Sequence, residues 1–346
     1  MKWSEILRKF PTKIISLPDG ELSYLELATK INETKCSSPH SFDEKWNREN
    51  IIQLFATLDK GIAVVPRSGH AFTPGPGKIY LATSGTEGPA RIISHPQDKL
   101  FQLRTLYQGK RAGAVLRAGH AAGLEFLFSG ILGGNDLYLR EDVNALAALQ
   151  LDILHGPPTA LAYMLSFPQR FHTFLERLEV FYNGTDSLPP AVAEKVRSSS
   201  FRFSIQQVYG TTETWALPTE THPEKPWLLR FTDNGIKVPD GDRFIEEEKG
   251  WGRIESDRHW VANMSGSKIN LFDLENSLLG IDGVVDAFAE TERGPLSSRI
   301  KLVLFTSRID QREFTELLKP ILGMIPYSLE LRDTSDIAMK KKNRQR

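Results

Sequence analysis

Hydrophobic residues along this chain fall into short continuous runs, separated by stretches in which they recur at helical spacing. The runs Lys13–Leu17, Gly61–Pro66, Ile79–Ala82, Ala112–Leu116, Asp136–Arg140, Ile153–Gly156, Arg177–Tyr182 and Ser204–Tyr209 read as strands. Ser23–Ile31, Asn50–Leu58, Gln102–Tyr107, Gly119–Leu132, Asn144–Leu151, Thr159–Leu165 and a stretch ending at Val196 read as helices. Pro18-Asp19-Gly20 supplies turn chemistry, Pro66 ends a strand, and Pro158 stands just ahead of a helix. Residues 36–48 are polar and 67–78 rich in Gly and Pro, so both read as loops. Strands alternating with helices predict a mainly parallel α/β sheet, in which ligands gather beyond the strand C-termini. The loops 83–88, 183–187 and 210–213 each follow a predicted strand and are expected on one rim.

After residue 216 the pattern changes. Pro218, Pro223, Pro226, Pro239 and the charge run Glu246–Lys249 indicate short antiparallel strands and a linker. From Gly266 a compact unit follows, with helices over Leu271–Leu279 and Asp310–Leu318 and strands over Val284–Ala289, Ile300–Phe305 and Pro326–Leu331. The expected α/β organisation is a large domain over 1–258 and a small, mobile C-terminal α+β domain over 259–346. The large domain has a mainly parallel sheet flanked by helices and, at 216–258, a reduced small β-barrel segment.

Composition narrows the function classes. The 346 residues are 40% hydrophobic and 25% charged, with 43 basic and 43 acidic side chains. That balance gives no global field to attract nucleic acid or an anionic membrane surface. A single cysteine, Cys36, excludes an internal disulfide framework and a Cys-rich zinc site, which suits a reducing compartment. No apolar run has the length of a membrane span, and the start lacks the apolar core of a signal peptide. A cytoplasmic protein is expected.

The stretch with chemistry is Thr83-Ser-Gly-Thr-Glu-Gly88, placed directly after the apolar run Ile79–Ala82. Glycines allow the backbone to aim several N–H groups at one point, and hydroxyls add donors around it. Such a loop suits a polyphosphate, although an ordinary polar hairpin has the same composition. No G-K-[ST] follows, so it is not a Walker A loop.

Taken with its neighbours, this segment resembles the phosphate loop, TSG(S/T)TGxPK, of the adenylate-forming superfamily: acyl- and aryl-CoA synthetases, peptide-synthetase adenylation domains and luciferases. Val208-Tyr-Gly-Thr-Thr-Glu213 is similar to that family's YGxTE motif, and Asn183-Gly-Thr-Asp-Ser-Leu-Pro-Pro190 to GGAxPLPP. His120 with Gly123-Leu124 resembles FHxxGL. Gly266-Ser-Lys-Ile-Asn-Leu-Phe-Asp-Leu-Glu275 and Gly283-Val-Val-Asp-Ala287 resemble the start of the small domain, and Lys340–Arg344 the closing GKxxR. These motifs keep the family's order from residue 83 to the end, which makes the set far more specific than any member of it.

The resemblance implies ATP-dependent activation of a carboxylic acid to an acyl-adenylate with release of pyrophosphate, then transfer to the thiol of CoA or a carrier protein. Thr83, Ser84, Gly85, Thr86 and Gly88 would grip the β- and γ-phosphates. Thr212 would meet the α-phosphate and Glu213 would hold Mg²⁺. Gly210 and Thr211 would border the nucleotide, Tyr209 would stack on adenine or fill core, and Gly184 and Thr185 would pass the adenine edge. Lys341 would bridge the α-phosphate and the acid as a catalytic cation, and His120 would border the acid pocket. The family's TGD aspartate has no clean counterpart; Asp242 is the first candidate and Asp257 the second. Glu87 and Ala90-Arg91 depart from the motif, and the chain is short before residue 80 and between 213 and 266. These departures keep a non-catalytic binding or scaffold subunit open as an alternative. Phe126, Phe128 and Leu132 make an apolar acid pocket plausible, suited to an aryl or medium acyl group.

Overall fold

The computed structural model of the chain describes all residues except 43–44, 67–71, 84–90, 106, 234–235, 239–241, 257–260, 265–266, 294–297, 308–309, 323–326 and 335–346. The N-terminal part runs α1 (Trp3–Leu7), β1 (Ile14–Leu17), β2 (Gly20–Ser23), α2 (Tyr24–Glu33), β3 (His40–Phe42), α3 (Arg48–Asp59), β4 (Val64–Pro66), β5 (Lys78–Ala82) and β6 (Ile92–Pro96). The α/β alternation follows: β7 (Arg111–Val115), α4 (Ala121–Leu132), β8 (Asp136–Arg140), β9 (Ile153–Gly156), α5 (Pro158–Ser166), α6 (Pro168–Arg177), β10 (Val180–Asn183), α7 (Pro190–Ser198) and β11 (Ser204–Gln207). Local signals set several boundaries. The Ser23 hydroxyl accepts from Glu26 N–H at the start of α2, and the Asn47 side chain accepts from Asn50 N–H at the start of α3. Pro158, Pro168 and Pro190 occupy the first turns of α5, α6 and α7, where a missing N–H is harmless.

Among the described residues the main sheet has the order β11-β10-β9-β7-β8-β1-β2, all parallel except the β1–β2 hairpin. Chain order reverses direction between β7 and β9. At such a switch point the connections leave toward opposite faces and open a crevice at the C-terminal ends of both strands. In β10, Phe181 is fully buried toward α5 and α6, while Val180 and Tyr182 pack with the α4 layer, as the two-residue period of a strand requires.

A second sheet, β3-β4-β5-β6, is parallel except for the antiparallel β5–β6 hairpin. This corrects one expectation. β5, which leads into the loop at 83–88, belongs not to the main sheet but to an antiparallel hairpin in this second layer. Other differences are local. In place of the helices expected over Gln102–Tyr107 and Asn144–Leu151, the described residues form 3₁₀ turns over Gln97–Gln102 and Val143–Ala145. Leu146 and Leu151 are apolar because they fill core space, not because they line a helix face. A Cβ on Gly113 of β7 would lie 2.3 Å from Leu151 Cδ1. The polar stretch 36–48 contains β3.

Beyond the main sheet come β12 (Gly210–Thr211), β13 (Trp215–Ala216), β14 (Thr219–Thr221), β15 (Leu229–Phe231), β16 (Asp242–Glu248) and β17 (Trp251–Ser256). The last four form an antiparallel sheet, β14-β15-β17-β16, at the place of the expected reduced barrel. After the hairpin β18 (Val261–Met264)–β19 (Ser267–Asn270), the C-terminal part has α8 (Leu271–Leu279), β20 (Val284–Arg293), β21 (Ser298–Thr306), α9 (Gln311–Leu322) and β22 (Tyr327–Asp333). Its sheet β20-β21-β22 packs on α8 and shares one buried cluster with α5, α6 and α7, including Leu161, Met164, Val192, Leu274, Leu278 and Val284. Ala191 N–H donates to Asn276 Oδ1 at 3.1 Å, and the partly buried Lys195 ammonium donates to the Val284 carbonyl at 3.2 Å. No helix among the described residues is long and apolar enough to cross a membrane.

One buried polar residue ties the α4 layer together. Asn135, fully buried, accepts from Lys110 N–H at 2.8 Å and donates to the carbonyls of Tyr107 (3.2 Å) and Gly130 (2.9 Å). Asn135→Ala should therefore destabilise the protein by about 2–4 kcal/mol, since the partners left behind are buried and unpaired. Urea denaturation checks this; a loss below about 1 kcal/mol would contradict it.

Candidate active site

The second-layer hairpin reaches the main sheet through its base. Thr83 N–H donates to the Arg91 carbonyl, and Arg91 N–H donates to the Thr83 hydroxyl, each at 2.9 Å. These two bonds close the neck of the loop whose residues Ser84, Gly85, Thr86 and Gly88 lie outside the described residues. From the same neck the Arg91 guanidinium donates to Glu213 Oε1 at 3.3 Å. Further down β6 the buried His95 bonds the Thr212 carbonyl through Nε2 at 2.7 Å, and its ring lies 5.1 Å from that of Trp215. The hairpin and the Thr212-Glu213 turn are thus stitched side by side.

That turn is itself tightly specified. β12 and β13 pair across it, with Thr211 N–H donating to the Thr214 hydroxyl at 3.1 Å and Glu213 N–H to the Thr211 hydroxyl at 3.3 Å. A Cβ on Gly210 would lie 2.3 Å from the Trp215 carbonyl oxygen, so only glycine fits there. The carboxyl of Glu125, on α4, accepts the Ala216 N–H at 2.9 and 3.0 Å through its two oxygens. The residue keeps some accessible surface, but its carboxyl is enclosed. Burial pushes it up to about 7, opposed in part by the Ala216 N–H.

Next to this turn, Tyr209 donates its hydroxyl to Asp242 Oδ2 at 3.0 Å, and its ring meets Phe231 edge-on at 5.9 Å. The structure therefore joins the candidate adenine-stacking tyrosine and the first-choice ribose aspartate. Asp257 lies outside the described residues. At the end of β10, Gly184 N–H donates to the Gly156 carbonyl at 3.1 Å, and Thr185 adopts φ of 73°. A Cβ on Gly184 would lie 2.6 Å from His155 Nε2. Asn183 and Gln207 are buried side by side in register on β10 and β11. Asn183 Oδ1 and Gln207 Nε2 lack partners among the described residues, an acceptor and a donor on paired residues of neighbouring strands.

His120 sits at the N-terminal boundary of α4, exposed, with its carbonyl accepting from Leu124 N–H. It opens the helix that follows β7 at the switch point. Lys341 lies outside the described residues. The predicted apolar lining needs correction. Phe126 faces the switch-point side, 5.9 Å from the His155 ring, whereas Phe128 packs on Trp3 and Phe55 in the N-terminal core. Residues two apart on a helix cannot share a face. Leu132 packs against that same core.

Sequence reading assigned no individual role to Glu125, His95, Tyr107, Tyr182 or His155. His155 is buried inside an apolar strand, where its type was the only signal. Burial alone pushes it down to about 4, so its imidazole is neutral.

Residues 79–248 match the family model described as AMP-binding enzyme. That span holds the hairpin, the switch-point loops and the 210–216 turn. The fold around it is that of adenylate-forming ligases. The anthranilate CoA ligase AuaEII in complex with anthranoyl-AMP superposes with a TM-score of 0.75 at 13% identity, covering 99% of this chain and 96% of that one. The o-succinylbenzoate CoA synthetase of Bacillus subtilis in complex with AMP gives 0.65 at 15%, covering 100% and 98%. The McyG A-PCP structure complexed with phenylalanyl-adenylate gives 0.64 at 11%, covering 96% and 91%. No curated protein matches the sequence.

The Glu125 carboxyl carries a pH signature. With its folded value near 7 against an ordinary 4.5, the folded state holds a proton the unfolded state has released between those limits. Its contribution to stability therefore falls as pH rises through that window. Glu125→Gln should gain on the wild type by on the order of 3 kcal/mol between about pH 4.5 and 7. Denaturation curves at several pH values measure the difference, and a pH-independent offset would refute it.

Proposed function

We propose that the protein uses ATP to activate a carboxylic acid, forming an acyl-adenylate and pyrophosphate, and then passes the acyl group to a phosphopantetheine thiol. The observation that carries this reading is the contact of Arg91, at the neck of the hydroxyl-rich loop, with Glu213. A carboxylate beside the base of that loop supports a reading in which phosphates and a hard cation meet there. In the first half-reaction a carboxylate oxygen attacks the α-phosphorus and the bond to the β-phosphate oxygen breaks. Two anions must approach, so fixed positive charge is required. Arg91 offers it from the described residues, and Lys341 is the cation proposed to bridge acid and α-phosphate.

Thr83, Ser84, Gly85, Thr86 and Gly88 are assigned to the β- and γ-phosphates, and Thr212 to the α-phosphate. Tyr209, Gly210, Thr211, Gly184 and Thr185 are assigned to the nucleoside, with Asp242 for the ribose. The unpartnered Asn183 Oδ1 and Gln207 Nε2 suit the donor–acceptor edge of a base. The Glu213 carboxylate is a hard oxygen donor that fits Mg²⁺, an ion that takes one or two carboxylates and completes its shell with phosphate and water. When bound, that ion would screen the phosphate charge. In the second half-reaction the thiol sulfur attacks the acyl carbon and AMP leaves. CoA and a carrier protein present the same phosphopantetheine end.

Acid-dependent exchange of labelled pyrophosphate into ATP tests the reading. Glu213→Gln and Lys341→Ala should each lower exchange by about 10²–10³-fold without shifting thermal unfolding. Near-wild-type rates in both would remove the assigned roles. Absence of exchange with every acid would favour a non-catalytic binding subunit.

A further inference from the structure

At the switch-point face of the sheet, four side chains from four segments meet under α4. His155 of β9 lies beside Tyr182 of β10 in register, with ring centroids 6.2 Å apart. Phe126 of α4 covers His155 at 5.9 Å. Tyr107, from the segment before β7, meets Phe126 at 6.0 Å and Tyr182 at 5.6 Å. The walls of this cluster are therefore aromatic. Three of its polar atoms, Tyr107 Oη, His155 Nδ1 and His155 Nε2, are buried with no hydrogen-bond partner among the described residues. Buried polar atoms are nearly always paired, and three orphans in one cluster call for a ligand. Gly184 adds to this, since any larger residue would cover His155 Nε2. Two nearby polar groups are committed elsewhere: the Glu125 carboxyl to Ala216 N–H, and the Arg104 guanidinium to the Thr219 carbonyl at 3.3 Å.

Resting on the acid-activation reading, we propose that the acid is an aromatic carboxylic acid bearing a ring hydroxyl, and that His155 and Tyr107 select it by hydrogen bonding to that hydroxyl. A neutral imidazole presents one donor and one acceptor, and a phenol can do either, so together they satisfy a hydroxyl that both gives and takes a hydrogen bond. Phe126, Tyr182 and the Tyr107 ring supply the faces that hold the substrate ring. A site built this way rejects the analogue lacking the hydroxyl, because the protein groups are then left unpaired.

The test pairs hydroxybenzoate and hydroxycinnamate isomers with benzoate and cinnamate, and adds hexanoate and octanoate. Each acid is read twice on the full-length protein: by equilibrium binding with calorimetry and by acid-dependent pyrophosphate exchange. A hydroxylated aromatic acid should exceed its plain counterpart by about 10²-fold or more in both readouts. Tyr107→Phe and His155→Leu should each pull that ratio toward one, with far-ultraviolet circular dichroism confirming the fold. Exchange that is equal or better with plain or aliphatic acids would overturn the proposal and leave acid activation standing. Selective binding without any exchange would support the pocket and overturn acid activation. A hydroxyl preference untouched by both substitutions would overturn the assignment to His155 and Tyr107.

Discussion

Two segments separated by more than a hundred residues are fastened by one ion pair and one hydrogen bond: Arg91 to Glu213, and His95 to the Thr212 carbonyl. Ile79 and Leu81 of β5 share a buried apolar cluster with α4 and the main sheet, and these two contacts add the link between β6 and the 212–213 turn. The histidine bond is the stronger anchor, being short and buried. The arginine contact is exposed, and such pairs contribute little stability on their own. Its significance is chemical, because it places a cation and a carboxylate at the mouth of the same loop. The tight β12–β13 turn, with glycine enforced at position 210 and Trp215 against His95, gives that fastening a rigid partner.

The sheet topology supplies the rest of the setting. Reversal of strand order between β7 and β9 leaves the α4 side of the switch point lined by His155, Tyr182 and Phe126, and the rim lined by Gly156, Gly184 and the 210–213 turn. On the opposite face, α5, α6 and α7 bury their apolar sides jointly against β10 and against α8 and β20. The C-terminal part is therefore seated by a continuous apolar contact. Any motion that delivers residues from this part must preserve that contact or break it.

Much of this was legible in the residues. The alternation of apolar runs and helical stretches located nearly all strands of the main sheet, and motif order pointed to Tyr209, Thr212 and Glu213, with Asp242 the first of two candidates where no motif counterpart stood. Periodicity says which residues are strand, but not which strand pairs with which; hence the hairpin loop was expected on the wrong sheet. Apolar residues such as Leu146 and Leu151 imitated a helix because core filling and helical periodicity leave the same local trace. The polar cluster was invisible for a related reason. His155 sits in an apolar strand and Tyr107 in a short connection, and only the assembled packing reveals that their polar atoms have nothing to bond. Phe128 misled because a phenylalanine in a pocket helix looks the same whichever face it occupies.

The central claim is that the hairpin and the 210–216 turn form one nucleotide site. Hydrogen exchange of backbone amides with and without ATP and Mg²⁺ tests it directly. The account predicts that ATP slows exchange in peptides covering 79–96 and 207–217 together, over the same range of ATP concentration. Protection confined to one of the two segments, or appearing only elsewhere in the chain, would contradict it.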